Sequence, residues 1–374
     1  MSMIYRDFGN TGAKVSALGM GCMRFADPQS IDEMAQVVYG AYEAGVTYFD
    51  TAPGYCEDKS EIILGTAVKE MKKDGRPFHI ATKSGAGDPA EIRRHCERSL
   101  ERLHVDAIDF YHVWALVHPE NLPKRKAQGA LDEFRKLKEE GLIRHISVST
   151  HLEHDKIAAM LDQSEGLFES MLIGLSAANY DLRYPGIREA KRRGMGVATM
   201  NTLGGGLIPA HPKHFEVILH EGDRSVVEAA IRFNLSIPEV HVALVGFRNV
   251  KDVEEAVRAV ERFAPLCEED IQETALRLAE SAKDFCTQCG YCRNCPQGIP
   301  VVRLMASYNR RLLEGNMQAA LDVLRYHWGI SDVREVLAPC TECQECEKAC
   351  TQHLPILDRF AELKRAQTEK ESAH

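Results

Sequence analysis

Eight of the chain's twelve cysteines fall in two short runs near the C-terminus: Cys286-x2-Cys289-x2-Cys292-x2-Cys295-Pro296 and Cys340-x2-Cys343-x2-Cys346-x3-Cys350. Thiolates at every third position are the ligand pattern of [4Fe–4S] cubes, four sulfurs to a cluster. In runs of this kind the first three cysteines curl round one cluster, and the chain carries the fourth to the other. The spacing therefore assigns Cys286, Cys289, Cys292 and Cys350 to one cluster, and Cys340, Cys343, Cys346 and Cys295 to a second. Cys295 follows a gap of two residues where the usual bacterial run has three, so it is the least regular ligand. Paired C-x2-C units also build zinc sites, so zinc or a single cluster are the competing readings.

A second constellation lies in the N-terminal half. One apolar run ends Tyr48-Phe49-Asp50-Thr51-Ala52-Pro53-Gly54-Tyr55, and the next ends Ala81-Thr82-Lys83-Ser84. An ordinary phenol, with a pKa near ~10, is a poor acid at neutral pH. A neighbouring ammonium stabilises its phenolate, and a carboxylate keeps that ammonium charged and placed. Asp50, Lys83 and Tyr55 together thus have the makings of a general acid for a carbonyl oxygen.

Elements must bring these residues together. Gly9-Asn10-Thr11-Gly12 is a turn cluster between short alternating segments, which predicts a hairpin within the first 22 residues. Beyond it, β-rich apolar runs alternate with amphipathic helical stretches. The predicted strands are Leu18–Cys22, Thr47–Thr51, His79–Thr82, Ile108–Val113, His145–Ser149, Met171–Leu175, Val197–Asn201 and Val242–Val245. Helices are expected over Ile31–Ala44, Pro89–Leu103, Ala130–Glu140, Leu152–Asp162, Pro185–Arg193 and Val250–Phe263. Eight such units in about 265 residues predict an α/β fold, a (β/α)8 TIM barrel over 1–265. In that fold, catalytic groups sit at the C-terminal ends of strands. A doubly wound sheet is the alternative, and no G-x-G-x-x-G follows the first strand to support it. Residues 266–284 read as a charged linking helix. Residues 285–374 read as a small, mainly α-helical ferredoxin-like iron–sulfur domain, with helices Val302–Leu313 and Met317–His327 between the cysteine runs.

The N-terminal part resembles the aldo-keto reductases. The resemblance rests on Gly45-Val46-Thr47-Tyr48-Phe49-Asp50-Thr51-Ala52 with Tyr55, Ser60-Glu61-Ile62-Ile63-Leu64-Gly65, Ala81-Thr82-Lys83, Gly141-Leu142-Ile143-Arg144-His145-Ile146-Ser147-Val148-Ser149, and Leu203-Gly204-Gly205-Gly206. The whole chain is similar to the subgroup with an appended helical 4Fe-4S ferredoxin domain. The resemblance implies an enzyme that passes hydride between a nicotinamide, NADP(H) or NAD(H), and a small carbonyl or alcohol. Tyr55 would be the acid, with Asp50 and Lys83 in support. The family's histidine comes from a D-x-Y-x-x-H strand. Here that strand reads Asp109-Phe110-Tyr111-His112-Val113-Trp114, so Trp114 stands at the matching position and His112 two residues earlier on the same face. His112 is taken as the fourth catalytic candidate, with a core or supporting role as the alternative.

Cofactor contacts implied by the same resemblance are Ser149 and Thr150 at the carboxamide, Met200 against the nicotinamide ring, and Leu203, Gly204 and Gly205 near the pyrophosphate. Gly246, Arg248 and Asn249 would take the adenosine end. The family's sixth-strand glutamine has no counterpart in Ile173-Gly174-Leu175-Ser176. Asp252 falls where a basic residue often meets the 2′-phosphate, which leaves NAD and NADP both open. Cys22 and Cys56 are expected near the pocket, while His151 and His154 read as surface or loop residues.

The chain has 374 residues, 44% hydrophobic and 27% charged, with a formal net charge of −9. This is globular composition, with nothing to attract nucleic acid. No basic-then-apolar leader opens the sequence, and no apolar run reaches the ~18 residues of a span, so a cytoplasmic, membrane-free protein is expected. Hydride carries two electrons and a [4Fe–4S] cluster moves one. The clusters are therefore expected either to trade electrons with a partner protein, such as a flavoprotein or ferredoxin, or to be structural in a plain carbonyl reductase. A non-catalytic redox sensor or electron-transfer adaptor is the third reading.

Overall fold

The computed structural model describes residues 3–153 and 155–372. The chain folds as two compact units, Met1–Leu278 and Ala279–His374. In the first, a hairpin of β1 (Tyr5–Asp7) and β2 (Lys14–Ser16) precedes eight strands. These are β3 (Leu18–Gly21), β4 (Tyr48–Asp50), β5 (His79–Ser84), β6 (Ile108–Leu116), β7 (Ile143–Thr150), β8 (Ser170–Gly174), β9 (Gly196–Met200) and β10 (Val242–Val245). All pair in parallel, and β10 pairs with β3 to close the barrel. The strands are buried almost throughout, as parallel strands covered by helices must be.

Alternation along the strands sorts side chains inward and outward. Tyr48, Ala81, Phe110, Leu172, Ala198, Val242 and Leu244 pack together inside with Phe8. The Phe8 ring lies 5.0 Å from Phe110 and 5.5 Å from Tyr48, so the hairpin residue plugs the barrel floor. Two residues further along their strands come Asp50, Lys83 and His112, on the same inward face one layer up. Outward residues meet the helices: Phe49 joins the core with Val38 and Val68, and Tyr111 lies 5.1 Å from Phe134.

Helix punctuation follows local chemistry. Asp88 caps the helix Pro89–Leu103 through Glu91 N, with proline at the first helical position. Gly75, at φ 80°, ends the helix Ser60–Asp74 in the left-handed conformation that suits glycine. Gly65 on that helix matters for the site: a Cβ there would meet Arg102 O at 1.9 Å, so only glycine lets the two helices approach so closely. The helix predicted to start at Pro185 begins instead at Tyr180 and contains the proline. Tyr180 and Tyr184 stack at 4.7 Å and stabilise the turn before it.

The second unit holds helices Val301–Glu314, Met317–Asp322, Val333–Leu337 and Ile356–Ser372, among shorter turns. The segment after Asp322 continues as a π-helix over Val323–His327. Its core gathers Leu304, Leu321, Leu337, Ile356, Phe360 and Leu363 around the cysteines.

His241 yields a pH prediction. It is buried below β10, accepts from Val197 N at 3.0 Å, and burial holds it down to about 4. An ordinary histidine titrates near ~6.5, so the unfolded chain takes up the proton first. Stability is full above ~6.5 and is lost as pH falls toward about 4, by on the order of 3 kcal/mol for this residue. The melting temperature should drop over that window. A flat profile from pH 7 to pH 4 would contradict the assignment.

Candidate active site

At the upper end of the barrel, Lys83 Nζ donates to Asp50 Oδ1 at 2.5 Å and to Thr51 O at 2.6 Å. Lys83 is fully buried. Burial pushes the Asp50 carboxyl above the usual carboxylate range, and the Lys83 ammonium opposes that push. The same Nζ lies 5.2 Å from the ring centroid of Tyr55. Tyr55 is half-buried, so the structure brings acid, amine and phenol together beneath an accessible ring.

The loop that carries Tyr55 is strained. Cys56, Glu57 and Asp58 follow it with φ of 52°, 54° and 65°, three successive non-glycine residues in the left-handed region. Each costs roughly 1 kcal/mol or more. A clamp offsets this: Asp58 takes two hydrogen bonds from Arg102, at 2.9 and 2.8 Å, and one from Gly54 N at 2.9 Å. The Arg102 guanidinium holds the Asp58 carboxyl down at about 2. Arg102 owes its position to the close helix packing at Gly65. Buried Glu61 ties the same corner, accepting from Thr82 at 2.8 Å and Ser99 at 2.7 Å. Arg102→Ala is expected to lower kcat about 10–100-fold by releasing Tyr55, with secondary structure retained. Steady-state rates set beside circular dichroism check this; unchanged rates would mean the clamp does not position the phenol.

His112 and Trp114 occupy different places in the site. His112 pairs in register with Lys83 and is fully buried, its Nε2 3.6 Å from Asp50 Oδ2. Among the described residues, neither of its ring nitrogens nor Asp50 Oδ2 finds a well-formed hydrogen bond. Burial, then Lys83, drives its pKa well below the usual value, so it is neutral. Trp114 meets Tyr55 edge-on at 5.7 Å, where β6 breaks register between Val113 and Leu116 around Ala115, at φ 60°. The phenol's neighbour is thus Trp114, and His112 lies beside Asp50 without a hydrogen bond to it.

Ser149 and Thr150 end β7 side by side, and both are buried. The Thr150 hydroxyl donates to Leu116 O at 2.8 Å and accepts from Leu152 N at 3.1 Å, so it is committed to the backbone. Among the described residues, the buried Ser149 Oγ finds no hydrogen-bond partner. Met200 ends β9, half-buried. After Leu203, Gly204, Gly205 and Gly206 all have positive φ, which exposes backbone without side chains. Gly246 passes close under Arg24: a Cβ would come within 2.9 Å of Arg24 Cβ. Arg248 is exposed. Asn249 caps the helix Val250–Glu261 by accepting from Asp252 N at 3.2 Å, while Asp252 accepts from Arg248 N at 2.9 Å. These residues fit a nicotinamide dinucleotide: a free hydroxyl for an amide, an apolar face for a ring and bare backbone for phosphates.

One residue near the site differs from expectation. His151 is buried, with burial holding it down to about 3. Its Nδ1 lies 3.2 Å from where a Cβ at Gly174 would be, so the ring covers that strand end. No local pattern signals this, because Gly174 belongs to another strand. His154 lies outside the described residues. Cys22 is buried, and its backbone N donates to Asp50 O at 2.8 Å; Cys56 is half-buried, its thiol 3.7 Å from Cys22 O.

In the second unit the cysteines form two quartets. Cys286, Cys289, Cys292 and Cys350 line one hollow. Cys295, Cys340, Cys343 and Cys346 line another. The electrostatics group them alike: after burial, Cys286, Cys289 and Cys350 raise the Cys292 thiol to about 12. No disulfide joins any of the eight. Among the described residues, no three or more His, Cys, Asp or Glu side chains close on a single metal ion. Sulfurs set around a hollow suit the corners of a cube better than one zinc ion. The fourth cysteine of each run lies with the other run's three, as the spacing implied.

No helix among the described residues is long and apolar enough to cross a membrane. Residues 17–275 match the Aldo/keto reductase family, and residues 282–354 match a 4Fe-4S dicluster domain. The chain is 28% identical over 298 residues to an L-galactose dehydrogenase of Arabidopsis thaliana, covering 70% of this chain and 89% of that protein. It superposes on the holo form of an aldo-keto reductase from Bacillus halodurans with a TM-score of 0.62 and 25% identity, over 75% of this chain and 97% of that one. An aldo/keto reductase from Klebsiella pneumoniae, solved with NADP and acetate, shares the fold at a TM-score of 0.61 and 19% identity, over 72% and 94% of the two chains. The chain belongs to the aldo-keto reductase family and extends it with a C-terminal iron–sulfur domain.

Proposed function

We propose that the barrel is an NAD(P)H-dependent carbonyl reductase, or alcohol dehydrogenase in reverse, and that the C-terminal unit carries two [4Fe–4S] clusters. The observation that carries the reading is the Lys83–Asp50 pair facing the ring of Tyr55 at the upper end of the barrel. When bound, the nicotinamide supplies a hydride and the clusters supply single electrons. Tyr55 holds the proton that the carbonyl oxygen receives, at the edge of the pocket. Lys83, bonded to Asp50, faces the ring of Tyr55, and a cation beside a phenol favours release of its proton. His112 keeps Asp50 oriented from below as a positioning residue. Trp114 closes the pocket beside the phenol and excludes water from it. Ser149 orients the carboxamide through its free hydroxyl. The nicotinamide is NADP(H) or NAD(H): neighbours from Klebsiella pneumoniae hold NADP or NADPH, and Asp252 does not select between the two. The clusters serve exchange with a partner protein. A purely structural role, and a non-catalytic electron-transfer adaptor, are the competing readings, and the intact Asp50–Lys83–Tyr55 set weighs against the adaptor.

The test is consumption of NADH and NADPH by anaerobically purified protein against a panel of small aldehydes and ketones. Turnover with at least one member is expected. Cofactor binding without turnover across the panel would favour the adaptor.

A further inference from the structure

We propose that the quartet Cys295, Cys340, Cys343 and Cys346 is the port through which electrons enter or leave the protein, and that its acidic rim selects a carrier protein with a basic face. The proposal rests on the reading that each quartet holds a cluster, and does not depend on the barrel's activity.

The two quartets differ in cover. Cys286, Cys292 and Cys350 are each under a tenth exposed. Backbone N–H groups reach two of their quartet's sulfurs: Gln288 N lies 3.4 Å from Cys286 Sγ, and Leu354 N lies 3.5 Å from Cys350 Sγ. Thr351 Oγ1 is 3.4 Å from the Cys289 sulfur. Val302, Met305, Leu354 and Ile356 wall this hollow.

The other quartet opens to solvent. Cys343 is exposed, and so is the whole stretch 341–345 around it. Glu342 and Gln344 on either side have φ of 53° and 63°, so the backbone turns tightly about Cys343. The rim is acidic. Residues 339–348 contain Glu342, Glu345 and Glu347 against one base, Lys348. Lys348 is engaged by Glu345 at 2.8 Å, and Glu347 accepts from Leu357 N at 2.9 Å. Four thiolates on a cluster add further negative charge. Such a surface repels free nicotinamide and flavin nucleotides, which are anions. It attracts a protein whose cofactor edge is ringed by lysine or arginine, in the small, charge-steered encounters common to redox pairs. One electron crosses from the reduced cluster to the oxidised carrier, or back; no bond is made or broken.

The test uses the full chain, loaded anaerobically with iron and sulfide and reduced with dithionite. Its oxidation by cytochrome c, a basic haem protein, is followed by stopped flow at about 10 mM and about 500 mM salt. The wild type should react about 10-fold or more faster at low salt. The double variant E342K/E345K should keep its iron and lose that advantage, reacting about 10-fold more slowly than wild type at low salt. Cys343→Ser should retain about half of the iron and lose the fast phase, whereas Cys292→Ser should lose the other half and keep it. Equal rates for E342K/E345K and wild type at low salt, or loss of the fast phase in Cys292→Ser alone, would overturn the proposal. Absence of aldehyde reduction would sink the carbonyl reductase reading and leave this result untouched.

Discussion

Tyr55→Phe is expected to lower kcat for carbonyl reduction by about 10²- to 10⁴-fold, the usual contribution of a positioned general acid. The ring stays and only the hydroxyl goes. Its packing against Trp114 at 5.7 Å and its place over Lys83 should therefore persist. Nicotinamide binding, read by fluorescence titration, should change less than about threefold, since no contact implied for the cofactor involves the phenol. Electron exchange at the cluster port should not change at all. A Tyr55→Phe protein that reduces aldehydes at the wild-type rate would remove the phenol from the chemistry.

Lys83→Met should act on both stability and rate. It leaves Asp50 buried with no cation, and breaking such a pair costs roughly 3–5 kcal/mol. The carboxyl, already raised by burial and now without the ammonium that lowers it, should bind a proton at a higher pH still. Activity should fall by a factor similar to that for Tyr55→Phe, because the phenol loses the charge that favours proton release. The double variant Asp50→Asn/Lys83→Met separates the two effects. With no charge left to strand, it should recover most of the melting temperature and none of the activity. Recovery of activity in the double variant would mean the buried pair serves folding alone.

The barrel was legible because each parallel strand is a compact apolar run bounded by turn residues; Val242–Val245 matches the observed strand at both ends. The helix Val226–Ser236 is hidden from the sequence, being buried along nearly its whole length. A helix without a solvent face carries no amphipathic period to find. The crossed cysteine quartets were readable from spacing, since ligand geometry is nearly local. The choice between His112 and Trp114 was not. It turns on the break in β6 around Ala115, which sequence alternation cannot report. The clamp on Tyr55 was also hidden. Arg102 and Asp58 are separated by more than forty residues and meet because Gly65 admits the helix that carries the arginine. Nor does any local pattern announce that Thr150's hydroxyl bonds the backbone of Leu116 and Leu152, or that Asn249 caps a helix.

The most direct test of hydride chemistry in this barrel uses NADH or NADPH with both hydrogens at C4 of the nicotinamide replaced by deuterium, with an accepted aldehyde under anaerobic conditions. Mass spectrometry of the alcohol product reads where the label goes. One deuterium at the carbinol carbon, delivered by wild type and lost with the rate in Tyr55→Phe, is the predicted result. Product formed without label at that carbon, while the nicotinamide is consumed, would mean that electrons reach the carbonyl singly through another route, and the account of the barrel would be wrong.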